Sequence, residues 1–433
     1  MGLNGNSSSK HIAISVTEGR TVRDLFYNGL LDDLTQAGFS ITVFTEAFRV
    51  PEFVNLWKRP NIEFAPLLPC EPTLWRSRAF WLRRRVAGLG NRQLLNAYLR
   101  LEHRYFYSAN KLYADMLTAR RPSVLLTTHA HLSSEVELIA TAHKLKIPTL
   151  GIVRSWDNVY KGIRSRPQQL AVWNEINKQE VIDYEGYEPE KVHLVGAPQF
   201  DPYFARDTIW SKERLCEHFR LDPNRPIILF ATLGYFFPGF DETCWMDALM
   251  SLIDRGDIDG RPQVICRLHP WSRLEHFQKY SEHQDVRLSY VDRYWPGLTW
   301  YMTKDDVVNV ANMLSHASVV ITPGSTITLE AAVFDTPTVV PIFHSYQPER
   351  ARDYFKTWVL GKHFGRIEQL DLVPIIRDAE QYAPAINRCL NEPDWYRTQR
   401  KQLVREYVNF TDGLSTRRIA DLAVKIASNG ISL

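Results

Sequence analysis

Short, nearly all-apolar runs recur along the chain, and most are followed by a longer stretch with helical spacing. Runs such as VLLTT, PIILFAT and SVVITP have no polar face. That is the mark of strands buried on both sides, as in a parallel sheet covered by helices. The pattern predicts strands at His11–Val16, Ser40–Phe44, Ser123–Thr127, Thr149–Val153, Gln169–Val172, Val192–Val195, Ile227–Ala231, Gln263–Arg267, Val286–Ser289, Val319–Thr322 and Thr338–Pro341. Helices fit at Thr21–Ala37, Asn91–Ala119, Ser133–Leu145, Asn174–Tyr184, Lys212–Phe219, Glu242–Arg255, Val307–Ala317 and Thr326–Val333. Alternation on this scale implies an α/β chain of doubly wound parallel sheets.

The 433 residues suit two domains. The segment GAPQFDPYFARD, Gly196–Arg206 and its neighbour, is rich in Pro and Gly and separates one strand–helix series from another. The expected division is 1–200, 201–400 and a helical tail, 401–433, crossing back to the first domain. A net charge of +3 is too mild to argue for nucleic acid. The five cysteines are scattered and odd in number, with no CxxC spacing, so neither a disulfide framework nor a zinc site is expected. The start is polar, and no run of about 18 apolar residues occurs. The expectation is a cytoplasmic protein.

Ligands of such sheets bind beyond the carboxyl ends of the strands, so the turns there carry the chemistry. The richest is VVITPGSTITLEAAVFDTPTVVPIF, Val319–Phe343. Gly324 permits a tight turn, Ser325 or Thr326 caps the next helix, and that helix's free amides suit a phosphate. Glu330, one turn in, can accept hydrogen bonds from a ribose diol. An ordinary capped βαβ turn has the same spacing. Arg267-Leu268-His269-Pro270 ends another strand, and Arg267 and His269 can both donate to phosphate oxygens. Thr232 and Gly234 follow a third strand and can help hold phosphate.

In the first half, strand Thr149–Val153 runs into Arg154-Ser155-Trp156-Asp157 and on to Lys161. Trp156 can stack on a sugar, Asp157 can take a proton from an attacking hydroxyl, and Lys161 can hold negative charge. Glu18, in the loop after the first strand, is the rival base, with Arg20 beside it for an acidic acceptor. His129 and His131 suggest a metal, but no third ligand lies at useful spacing, so no metal is expected. The segment Thr73–Arg92 interleaves arginines with large aromatics. Trp75, Arg76, Trp81, Arg83, Arg84 and Arg85 suit peripheral contact with an anionic membrane on its inner face.

Val319–Phe343 resembles the donor-site signature of GT-B glycosyltransferases: a Gly/Ser-rich turn, a helix with an acidic residue, then a G-x-P-like turn, here Asp335-Thr336-Pro337. Arg267–Pro270 is similar to an R-x-H-P run of CDP-glycerol glycerophosphotransferases, and an HP motif recurs in CMP-sugar-dependent sialyl- and Kdo-transferases. Thr411–Arg417 resembles the DG-x-S-x-R segment of the glycerophosphotransferases. The segment Arg154–Gly162 sits where that family carries a W-H-G-x-x-x-K-x-x-G loop, and here Asp157 replaces the presumed base histidine. The resemblance covers most of residues 145–425.

It implies two Rossmann-like domains facing across a cleft, the first binding acceptor and the second a nucleotide-sugar. Ser325 and Thr326 are then placed on phosphate, Glu330 on ribose and His269 on the departing phosphate. The implied function is an inverting, metal-independent glycosyltransferase of surface polysaccharide biosynthesis. It needs no cofactor, takes a nucleotide-sugar as co-substrate and uses a glycan or lipid-linked acceptor. The alternatives are a CDP-alditol phosphotransferase, a UDP-sugar 2-epimerase and a non-catalytic glycan-binding scaffold.

Overall fold

The computed structural model describes residues 10–429 apart from 71–73, 107, 131–132, 158, 160–161, 206–207, 235–240, 292–296, 345–348 and 350–363. The chain divides into two compact units. The first comprises Met1–Asp201, Arg293–Met302 and Asn409–Leu433; the second comprises Pro202–Asp292 and Thr303–Val408.

The first unit is built on a seven-stranded parallel sheet in the order β3-β2-β1-β4-β5-β6-β7. Its strands are β1 (His11–Val16), β2 (Ser40–Thr45), β3 (Ile62–Pro66), β4 (Val124–Thr127), β5 (Thr149–Ile152), β6 (Gln169–Val172) and β7 (Val192–Leu194). Ile12, Ile14, Val43, Val124, Leu126 and Leu150 lie in its core. Helix Ser415–Asn429 closes one face through Ile419, Ala423 and Ile426. The Asp201 carboxylate accepts the amides of Ser415 at 3.0 Å and Thr416 at 2.7 Å, which holds that helix's first turn.

The second unit carries six parallel strands in the order β10-β9-β8-β11-β12-β13. They are β8 (Ile227–Ala231), β9 (Gln263–Arg267), β10 (Val286–Ser289), β11 (Val319–Ile321), β12 (Thr338–Pro341) and β13 (Ile375–Ile376). In each sheet the strand order reverses beside the unit's first strand, at β1/β4 and at β8/β11. Those are the switch points where crossovers part and leave a crevice at the strand ends.

Two strands escape the sequence pattern, β3 and β13, and both are sheet edges. An edge strand need not be apolar on both faces, and Ile62-Glu63-Phe64-Ala65-Pro66 is not. The expected helix Thr21–Ala37 is interrupted: Val22–Phe26 takes a wider π turn, and Gly29, at φ +88°, starts helix Leu30–Gln36. The expected helix Asn91–Ala119 is two helices, Arg92–Phe106 and Lys111–Arg120. Asn110 caps the second by accepting the Leu112 amide at 2.9 Å, a stop that apolar periodicity does not register.

Candidate functional site

In the second unit, β9, β8 and β11 are consecutive neighbours, all parallel. The turns that follow them therefore leave the same edge of the sheet, spaced by about 5 Å per strand. The turn after β8 carries Thr232 and Gly234, the one after β9 carries His269, and the one after β11 carries Gly324, Ser325 and Thr326.

The first two turns are welded together. Thr232 Oγ1 accepts the His269 amide at 2.7 Å and sits 2.7 Å from Ser272 Oγ. Gly234 has φ +86°, and a Cβ there would meet His269 Nδ1 at 2.4 Å, so only glycine allows this approach. His269 Nδ1 accepts the Trp271 amide at 3.2 Å, which puts the neutral ring's proton on Nε2 as a donor. Behind both turns lies Glu242. Its carboxylate accepts the Leu233 amide at 2.7 Å and the Ser272 hydroxyl at 3.0 Å. Burial pushes this carboxyl up to about 6 against those hydrogen bonds.

Arg267 is buried and donates to Ser289 Oγ at 3.0 Å. Burial lowers its pKa, while Asp306, Tyr203 and Glu330 favour its charge. Glu330 therefore acts on Arg267 across the strand ends, from helix Thr326–Val333. Its Oε2 accepts the Tyr203 hydroxyl at 2.5 Å. Ser325, not Thr326, is the helix N-cap and accepts the Ile327 amide at 3.3 Å. Gly324 takes φ +80°.

In the first unit, β1, β4 and β5 are also consecutive neighbours, and their ends carry Glu18, His129 and Arg154. The Glu18 carboxylate meets His129 Nδ1 at 2.9 Å, Arg20 at 2.7 Å and Arg154 at 3.3 Å. Arg154 also reaches Asp24 at 3.1 Å, and Arg23 reaches Asp24 at 2.5 Å. Burial pushes Glu18 up, but Arg154, His129 and Arg20 outweigh it and hold the carboxyl well below its usual range. Burial takes His129 down to about 4, with Glu18 opposing. Burial thus works against a charge on the ring, and the Glu18–His129 contact is a close polar approach inside the unit. Glu135 lies beneath, accepting the Thr128 amide at 2.9 Å and the His129 amide at 3.2 Å. Burial raises it to about 7. A cavity of about 10 Å³, room for about one water, lies among Thr21, Asp24, Thr128, Arg154, Trp173 and Gln199.

Trp156 and Asp157 are both 6% exposed. The open ring face expected for sugar stacking is covered by protein, and the Asp157 carboxylate is not at the surface. Asn177 fixes their turn by donating to the Trp156 carbonyl at 2.8 Å. Lys161 and His131 lie outside the described residues. Among the described residues, no group of three or more His, Cys, Asp or Glu is placed to hold a metal ion.

Sequence reasoning missed Asp24, Glu135, Glu242, Ser272 and Tyr203, and read His129 only as a metal candidate. Glu242 carried one usable signal. It falls where a strand-end turn meets a helix start, a place where a carboxylate can reach back to the preceding amides.

Neither a protein-family model nor a curated sequence matches the chain. Solved structures do. The UDP-GlcNAc 2-epimerase of Neisseria meningitidis bound to UDP-GlcNAc aligns with a TM-score of 0.57 at 13% identity, over 96% of this chain and 100% of that one. The wall teichoic acid polymerase TagF aligns with a TM-score of 0.58 at 10% identity, over 98% of this chain and 90% of that one. A glycosyltransferase from Rickettsia africae ESF-5 aligns with a TM-score of 0.55 at 11% identity, over 98% and 100%. The chain has the GT-B type of fold, shared by sugar-nucleotide epimerases and glycosyltransferases. The likeness does not single out the CDP-glycerol group.

Proposed function

We propose that the chain is an inverting glycosyltransferase that moves a sugar from a nucleotide-sugar to a glycan or lipid-linked acceptor in surface polysaccharide biosynthesis, at the cytoplasmic side. The observation that carries the donor half is the set of three turns at adjacent strand ends in the second unit. The turns offer the His269 ring and the helix start at Ser325, and Arg267 ends β9 beside them. Donors fixed before the substrate arrives stabilise negative charge as it develops on a leaving phosphate. In this reading Ser325 and Thr326 hold phosphate, Glu330 holds ribose, and Arg267 and His269 neutralise the departing nucleotide. No metal or other cofactor takes part.

Glu18 is the preferred base, ahead of Asp157. It stands at the switch point of its sheet beside His129, with its charge favoured by the arginines around it, and in this reading Arg20, paired with it, meets an acidic acceptor. The acceptor oxygen gives its proton to Glu18 and attacks the anomeric carbon as the bond from that carbon to the donor phosphate breaks. The sugar leaves inverted on the acceptor, and the nucleotide departs with the electron pair.

A second reading is favoured by the solved structures of UDP-GlcNAc 2-epimerases, which align over 96% and 97% of this chain. The two readings part on whether an acceptor is required. Incubation with UDP-, GDP-, CDP- and CMP-sugars, with and without a membrane-derived acceptor fraction, decides between them. Transfer demands both components. Conversion of a free UDP-sugar to its C2 epimer, with no acceptor present, overturns the transferase.

A further inference from the structure

Of the large apolar side chains exposed among the described residues, fifteen in all, eight lie between Leu74 and Tyr105. They occupy a hairpin of two helices, Leu74–Gly88 and Arg92–Phe106. The inner faces pack through Ala87, Leu95 and Leu99, and the Tyr98 hydroxyl donates to the Ala79 carbonyl at 2.6 Å. Arg83 anchors the hairpin to the body of the unit. It is fully buried, pairs with Glu102 at 3.2 Å and Glu185 at 3.3 Å, and donates to the Ile163 carbonyl. Phe80 is buried too, packed so closely on Gly162 that a Cβ there would meet its ring at 2.3 Å.

This sorts the basic–aromatic cluster into two faces and corrects its expected membership. Arg83 is inside, Arg84 lies 3.7 Å from the buried Glu185, and Arg76 pairs with Glu137 at 3.3 Å, so these three serve the unit itself. The outward stripe of the first helix is Leu74, Trp75, Arg78, Trp81, Leu82 and Arg85, at spacings of one, three and four residues. Trp75 and Trp81 are 65% and 62% exposed. The second helix continues it with Leu94, Arg100, Leu101 and Tyr105. Between Leu74 and Phe106 the only carboxylate is Glu102, and it is buried against Arg83. The hairpin's outward face is therefore apolar and cationic and carries no acid of its own; at its turn end Arg92 pairs with Glu188 at 2.9 Å and is left out of the face.

We propose that this face seats the protein on an anionic lipid bilayer, with the two helices lying in the interfacial plane. Leucines and tryptophans enter the acyl boundary while Arg78, Arg85 and Arg100 remain at the headgroups, the division of labour of an interfacial helix. Charge decides against a second copy of the chain, because two such faces repel. The exposed leucines, which neither stack on bases nor hydrogen-bond to them, favour lipid over nucleic acid. The inference is independent of the reaction, since attachment is read without turnover.

The test is co-sedimentation of the full chain with vesicles of phosphatidylcholine alone and with vesicles containing about 30% phosphatidylglycerol, whose negative surface potential attracts basic residues. The expected result is sedimentation with the anionic vesicles, reversed by high salt. R78Q/R85Q should weaken partitioning roughly thirtyfold, at about fivefold per arginine. W75A/W81A should weaken it even in low salt. Both variants alter exposed residues, and an unchanged thermal midpoint confirms the fold. Three results overturn the proposal: no vesicle binding by the wild type, binding undiminished in both variants, or a dimer or an RNA complex lost in the variants without any vesicle binding.

Discussion

The two units share a topology and differ in what they place at their strand ends. Each has a parallel sheet whose order reverses beside its first strand, and each sends three turns from three adjacent strands to one edge. In the first unit that edge is crowded with side-chain charge that largely cancels itself: Glu18 and Asp24 against Arg20, Arg23 and Arg154. In the second it is built from tight turns at Gly234 and Gly324, both in the left-handed region, with Arg267 and His269 beside them. The first arrangement holds a carboxylate in one protonation state; the second suits an incoming anion. Fold and chemistry are thus separable: the sheet supplies the place and the turn supplies the function.

One device is common to both. Glu135 and Glu242 each stand immediately before a helix, at Val136–Lys144 and Thr243–Arg255, and each reaches back to the amides of the preceding strand-end turn. Both are buried and both have raised pKa values. A buried glutamate therefore fixes the shape of the turn in each unit, whatever that turn then does.

The sharpest way to break the comparison is Glu18→Gln. If the first unit's edge supplies the base, turnover should fall by about 10² to 10⁴-fold while nucleotide affinity stays unchanged. Equal losses in kcat and in nucleotide binding would erase the division between the units. Next is Gly234→Ala, which forces a side chain into a φ of +86° and into His269. Nucleotide affinity should weaken by about 10²-fold, from backbone strain of about 1–3 kcal/mol plus the clash. Calorimetric titration reads it, with a folded control by circular dichroism.

The shared glutamates give a pH test. A native carboxyl with a raised pKa holds its proton where the unfolded chain has lost it, so stability falls as pH rises through that window. The window runs from 4.5 to about 6 for Glu242 and from 4.5 to about 7 for Glu135. For Glu242 that rise corresponds to about 2 kcal/mol across the window. Glu242→Gln and Glu135→Gln should each flatten the fall of denaturation midpoint with pH, Glu135→Gln over the wider range. A slope unchanged in either variant would remove that glutamate from the comparison. The smallest effect belongs to Thr326→Ala. Ser325 is the cap, so only the hydroxyl's own contact is lost, weakening nucleotide binding by about tenfold. A larger loss would make Thr326 the main phosphate ligand.

Much of the fold is legible because buried parallel strands are written in runs of apolar residues, and β8 and β9 fall where those runs lie. The edge strands β3 and β13 are not: β3 carries Glu63 among its apolar residues, and β13 is only two residues long, too short to register as a run. At the strand ends, Gly324 and Ser325 are legible as a turn and a cap, since glycine and serine have few other reasons to adjoin there. The Glu18–His129–Arg154 cluster is not. Glu18 lies more than a hundred residues before both His129 and Arg154, and only the order β1-β4-β5 brings them together. Trp156 shows the opposite failure: a tryptophan in a loop reads as a ligand platform, yet the ring is buried.

The central claim is that the strand-end turns of the second unit bind the phosphates of a nucleotide. Titration of UDP, CDP, GDP and CMP into the wild type and into Arg267→Ala measures it directly. One nucleotide should bind the wild type, raise its thermal midpoint and bind the variant far more weakly. If none of the four binds, or if the arginine substitution leaves the affinity unchanged, those turns are not a nucleotide site.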